Sequence, residues 1–185
     1  MREPRFRVGV FCGSLRGADP HYMQMATEFG AALARNKAEL VYGGGSAGLM
    51  GAVAAAARTG RAPVIGVTPG ELFDVEQSDV ESGELIVVPS MHERKAKMYE
   101  LSDAFAVLPG GFGTLDELME IVTWRRLGLH QKPVVVVNVR GFFDVLTDFL
   151  SVAAKEGFLD SSYKESIQIA GGVDEAFDML LALRA

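Results

Sequence analysis

One cysteine in 185 residues, Cys12, leaves no partner for an intramolecular disulfide. The fold therefore has to rest on its hydrophobic core. No apolar run approaches the roughly 18 residues that a membrane-spanning helix requires. The N-terminal arginines precede an apolar stretch that Gly13 and Ser14 soon break, and no small-residue cleavage site follows. No secretory leader is expected, and the expected location is the cytoplasm. Basic residues are outnumbered, with 18 Lys+Arg against 24 Asp+Glu for a net charge of −6. A general nucleic-acid binder needs the opposite balance to displace counterions, so that class is set aside. A single anionic ligand at one local positive site remains open. The histidines His21, His92 and His130 stand far apart, and with one cysteine they offer no metal-ligand spacing. Each reads as a capping or surface residue, and Cys12 as a small core residue.

What the chain does have is a composition for folding: 49% hydrophobic and 23% charged residues. Its length suits one domain. Short Val- and Ile-rich runs fall at Phe6–Phe11, Glu39–Tyr42, Pro63–Val67, Leu85–Val88, Ala104–Leu108 and Pro133–Asn138, with a weaker run at Ser166–Ala170. They are apolar on both faces, as buried parallel strands are. Helical periodicity covers about Pro20–Lys37, Ala47–Thr59, Met91–Leu101, Thr114–Leu127, Phe142–Glu156 and Val173–Arg184. This alternation predicts an α/β fold, a doubly wound parallel sheet between two layers of helices. The 21 glycines cluster where strands end, at Gly13, Gly43–Gly45, Gly66, Gly70 and Gly110–Gly113. Ligands of open parallel sheets bind at that edge. The acidic stretch Pro69–Gly83 reads as a long loop.

The most informative segment is Pro109-Gly110-Gly111-Phe112-Gly113-Thr114-Leu115-Asp116-Glu117, between a strand and a helix. Glycines there permit a nest of backbone N–H groups, and the helix terminus adds partial positive charge. Thr114 can cap the helix and reach a phosphate oxygen. Glu117 follows on the same face. Thr114-x-x-Glu117 is equally the pattern of a capping box with no ligand at all.

Three more segments join this one: Met91-His92-Glu93-Arg94-Lys95-Ala96-Lys97-Met98, Thr123-Trp124, and Leu127-Gly128-Leu129-His130-Gln131-Lys132-Pro133. Together they resemble the Lonely Guy family of cytokinin riboside 5′-monophosphate phosphoribohydrolases, once labelled lysine decarboxylases. The likeness reaches back through Tyr42-Gly43-Gly44-Gly45-Ser46-Ala47-Gly48 to Phe11-Cys12-Gly13-Ser14, and forward through Asn138 and Gly141-Phe142-Phe143. The resemblance implies a Rossmann-like homodimer that takes a purine nucleoside 5′-monophosphate, AMP included, without cofactor or metal. It puts the catalytic pair on Arg94 and Glu117. It puts substrate and phosphate contacts on Lys95, Gly110, Gly111, Phe112, Gly113, Thr114, Glu76 and Thr123, and on Gly13, Ser14 and Gly44. The chain departs from the family's Ser-Ser-x-Gly after the first strand, reading Ser14-Leu15-Arg16-Gly17.

Other readings compete. Lys95 and Lys97 fit a solvated helix face on which Glu93 pairs with Lys97. Asp116 and Glu120 read as helix-surface charges. Leu118, Ile121, Trp124 and Leu127 form an apolar face that suits ordinary core or a dimer seam. Gly43-x-Gly45-x-x-Gly48 fits a dinucleotide motif, but no acidic residue stands about 20 residues on to hold a ribose. A P-loop pattern is absent. Lysine decarboxylation would need a Schiff-base lysine, and nothing identifies one. Rossmann-like molybdenum-cofactor carriers share the glycine motif and only bind ligands, which keeps a non-catalytic alternative open.

Overall fold

The computed structural model describes residues 5–70, 84–160 and 162–182. Along these residues the strands are β1 (Arg7–Phe11), β2 (Glu39–Tyr42), β3 (Val64–Pro69), β4 (Glu84–Val88), β5 (Ala104–Val107), β6 (Val134–Val137) and β7 (Gln168–Ala170). The helices are α1 (Pro20–Arg35), α2 (Gly48–Thr59), α3 (Met91–Leu101), α4 (Phe112–Arg126), α5 (Asp144–Lys155), α6 (Tyr163–Ser166) and α7 (Val173–Ala182). All strand pairings are parallel, in the order β4-β3-β2-β1-β5-β6-β7. This is the Rossmann-like three-layer arrangement.

Alternate strand residues feed two cores. Val8, Val10, Leu40, Tyr42, Ala106 and Val135 pack with the buried faces of α1, α2 and α7. Val41, Phe105, Val107, Val134 and Val136 pack on the other side with Met98 of α3 and Leu118 and Ile121 of α4. Phe29 of α1 is wholly buried and meets Phe177 with ring centroids 5.0 Å apart. Truncating such a side chain to alanine costs about 3–5 kcal/mol.

Two helix starts differ from the periodicity. α4 begins at Phe112, two residues before the position that Thr114 suggested. The segment Phe142–Glu156 becomes helical only at Asp144, because Arg140 (φ 55°) and Gly141 (φ 68°) adopt left-handed conformations in the turn before it. The short helix α6 carries no periodicity of its own. The stretch 71–83, with Glu76 on it, lies outside the described residues.

The chain builds β1 to β4 outward on one side, then crosses back to place β5 on the other side of β1. The loops after β1 and β5 therefore diverge to opposite layers and leave a crevice between them, the usual ligand position in such sheets.

Candidate active site

A cavity of about 540 Å³ occupies this crevice, within the range of small-molecule sites. Its floor is formed where the two loops meet, with Gly13 N–H donating to the Pro109 carbonyl at 3.0 Å. The Gly13 carbonyl in turn accepts from Leu49 N–H at 3.1 Å and Met50 N–H at 3.3 Å, which satisfies the start of α2. The N-terminus of α2 is thus occupied by the protein itself.

The N-terminus of α4 is different. Its N-cap is Gly111, and no side chain caps it. Thr114 is not the cap but the third helical residue, buried against Gly110, so the capping-box reading fails. An uncapped helix start presents unpaired amide N–H groups and the positive end of the helix dipole. The glycines divide by role. A Cβ on Gly110 would strike Thr114 and come within 2.8 Å of the Gly13 nitrogen, whereas one on Gly111 or Gly113 would meet nothing within 4 Å. Gly110 is required for packing. Gly111 and Gly113 keep space open on the cavity wall. Phe112, between them, points out and is 95% exposed.

Arg94 enters from α3, whose start is capped by the Ser90 hydroxyl accepting from Glu93 N–H at 3.3 Å. Arg94 is 4% exposed, and its Nη2 donates to the Gly43 carbonyl at 2.7 Å. A Cβ on Gly43 would occupy the position of Nη2, so a larger residue there would force the guanidinium to shift. Glu117, on α4, lines the same cavity as Arg94. Cys12 lies at the base of the cavity. Burial, and then the charge of Glu117, push its thiol pKa up, so it is a protonated core residue.

Lys95 also lines the cavity, but its ammonium is held by Asp116 at 3.0 Å and Glu120 at 3.1 Å. Burial works to lower its pKa, yet hydrogen bonds and charge from the two carboxylates raise it overall. Asp116 and Glu120 are therefore lysine ligands, not the idle surface charges their spacing suggested. Lys97 pairs with Glu100 at 2.9 Å, in place of the Glu93 partner expected.

Ser14 and Leu15 line the cavity, with Leu15 largely exposed. Gly44 does not reach it. The space beside its Cα faces Leu85 and Thr68, and the neighbouring Gly43 carbonyl makes the functional contact. Thr123 lies nine residues beyond Thr114 on α4, on an exposed face, about 13 Å along the helix axis. It does not line the cavity. Tyr22 and Phe142 complete the wall, edge to face at 5.6 Å. Sequence reading gave them no role; the Asn138-x-x-Gly141-Phe142 turn was a signal for Phe142, and nothing pointed to Tyr22. His130 is neither cap nor surface. It is buried, with Nδ1 accepting from Lys132 N–H at 3.1 Å and Nε2 at 2.8 Å from the Ile121 carbonyl.

Fold and cavity together define a Rossmann-like protein whose switch-point crevice combines an uncapped, glycine-lined helix terminus with a buried arginine and a carboxylate. Comparison with known proteins places that class more closely. Residues 50–180 match the family described as "Possible lysine decarboxylase". The chain is 48% identical over 165 residues to the "Probable cytokinin riboside 5'-monophosphate phosphoribohydrolase LOGL9" of Oryza sativa subsp. japonica, covering 89% of this chain and 73% of the relative. It is 45% identical over 168 residues to the "Cytokinin riboside 5'-monophosphate phosphoribohydrolase LOG3" of Arabidopsis thaliana, covering 90% and 78%. The molybdenum cofactor binding protein of Rippkaea orientalis superposes over the whole of both chains with a TM-score of 0.76 at 20% identity, a likeness of fold alone. The chain belongs to the Lonely Guy family.

Proposed function

We propose that this chain hydrolyses the N-glycosidic bond of purine riboside 5′-monophosphates, releasing free base and ribose 5-phosphate. The observation that carries this reading is the convergence on one cavity of the uncapped α4 terminus, Arg94 and Glu117.

The amide groups of Gly111 to Thr114 and the α4 dipole receive the 5′-phosphate. That remote group then positions the ribose, so that its binding energy is used at the reacting carbon. Departure of the base leaves positive charge on the sugar, as in other glycosidic hydrolyses. The Glu117 carboxylate faces that charge and accepts a proton from the attacking water, whose oxygen bonds to C1′. The base leaves with the bonding electron pair and takes up a proton. A positioned base contributes about 10²- to 10⁴-fold in rate. Arg94, fixed by Gly43, orients the sugar and the carboxylate through its planar fork.

The chain acts as a cytoplasmic homodimer in this reading. Support for the dimer comes from α5, which contributes no fully buried residue and presents Val145, Phe149 and Val152 at 80%, 64% and 56% exposure, one stripe at helical spacing. Each such side chain gains about 1.5–3 kcal/mol when buried. Light scattering should give a dimer mass for the native chain and a monomer for Val145→Asp/Phe149→Asp. A dimeric double variant would exclude this face. A second copy is also what could bring the exposed Thr123 to a cavity.

Incubation with AMP and with isopentenyladenosine 5′-monophosphate, followed by chromatography, tests the activity and ranks the two bases. Free base must appear with ribose 5-phosphate in equal amounts. Saturable binding without release would favour the carrier alternative.

A further inference from the structure

We infer that Lys95 with Asp116 and Glu120 is a bolt between α3 and α4 that sets the position of Arg94 against Glu117, and that Lys95 does not bind the phosphate. This rests on the hydrolase reading above and assigns three positioning residues to it.

Asp116 and Glu120 stand one helical turn apart on α4, so both reach the same point on α3. Lys95 is 14% exposed there, with Nζ at 3.0 Å from one carboxylate and 3.1 Å from the other. An ammonium has three N–H donors, and two of these are committed. One positive and two negative charges leave the cluster negative by one, which repels a phosphate dianion.

The bolt matters because the backbones of α3 and α4 do not pack closely. Side chains span the gap: Met98 of α3 lies in the core cluster that also holds Leu118 and Ile121 of α4, and two further connections flank it. Toward the C-terminal ends, Tyr99 and Trp124 meet edge to face at 5.1 Å. Toward the cavity, the Lys95 cluster makes the connection. Arg94 precedes Lys95 on α3, and Glu117 follows Asp116 on α4, so the bolted residues are the immediate neighbours of the proposed catalytic pair. Arg94 is tied at its tip to Gly43. The bolt fixes the other half of the geometry, the distance from α3 to the carboxylate on α4.

The test uses the full chain with AMP, and separates turnover from binding. Lys95→Met should lower kcat about 10- to 100-fold, the scale of a misplacement near 1 Å. KM, and the AMP dissociation constant by calorimetry, should stay within about threefold. Lys95→Arg, which can still bridge two carboxylates, should restore kcat to within about threefold. The decisive variant is the pair Asp116→Asn/Glu120→Gln. It frees Lys95 for a phosphate, yet should lose kcat as Lys95→Met does. The inference is overturned if Lys95→Met weakens AMP binding tenfold or more, if it leaves kcat unchanged, or if the carboxylate pair can be neutralised without loss. Absence of base release by the wild-type chain is a separate result and sinks the hydrolase reading itself.

Discussion

Replacing Gly113 by alanine separates the two demands made on the glycine motif. Gly113 is the second residue of α4, and an added Cβ meets nothing within 4 Å. Its φ is not positive, so alanine is not strained there. The folded state accepts the methyl group, the unfolded chain loses freedom, and alanine favours the helix. The net gain is about 0.4–1 kcal/mol, which raises Tm by about 1–4 °C in a domain of this size. The same methyl sits on the cavity wall beside the amides assigned to the phosphate. Losing one charge-assisted hydrogen bond costs about 1.5–3 kcal/mol, about 10- to 100-fold in affinity. The variant should therefore be more heat-resistant and markedly worse in KM for AMP. Any turnover of the unphosphorylated riboside, which brings no phosphate to those amides, should be the same in the variant as in the wild type. Gly110→Ala should do the reverse and lower Tm, because its Cβ collides with Thr114. A stable Gly113→Ala variant with an unaltered KM for AMP would refute the phosphate assignment.

Three further variants address the rest of the site. Glu117→Gln should lower kcat about 10²- to 10⁴-fold while AMP binds within a few-fold of the wild type by calorimetry; retained turnover would remove Glu117 from the mechanism. Gly43→Ala should displace the Arg94 guanidinium and cost about 10²-fold in kcat/KM, and full activity would show that the Gly43 contact is dispensable. His130 governs part of the acid stability. Burial first, then the charges of Lys132 and Arg125, hold its pKa below the ordinary 6.5, against the pull of the Ile121 carbonyl. Below pH 6.5 the unfolded chain takes up a proton that the folded chain refuses, so this stabilisation is complete above pH 6.5 and lost as pH falls beneath it. Urea midpoints at pH 7.5 and 5.5 should differ more for the wild type than for His130→Gln; equal shifts would rule His130 out.

The sheet was legible because strands buried on both faces must be apolar: β5 and β6 are so throughout, and β1 and β2 are so beyond their first residues, Arg7 and Glu39, which pair with each other. The ligand edge was legible because glycines gather only where the backbone has to turn or leave space. Chain spacing could not reveal which glycine does which. Gly110 and Gly113 look alike in sequence, and only the packing of Thr114 and Gly13 against one of them separates the roles. The capping box was a local inference that the helix start at Phe112 displaced. Charges on different helices were the least legible. The pairing of Lys95 with Glu120, which read as a solvated residue, was hidden because it depends on how α3 and α4 stand across the crevice. His130 was misjudged for the same reason, since its partners lie on the strand approach and the end of α4. Phe142 reaches the cavity only because a left-handed turn at Arg140 and Gly141 delays the start of α5.

A crystal structure of the Glu117→Gln variant with AMP bound would test the central assignment most directly. The account predicts the phosphate on the amides of Gly111 to Thr114, with C1′ of the ribose facing residue 117 and the Arg94 guanidinium beside the sugar. A nucleotide seated elsewhere, or one whose phosphate lies on Lys95 with the α4 terminus empty, would contradict it.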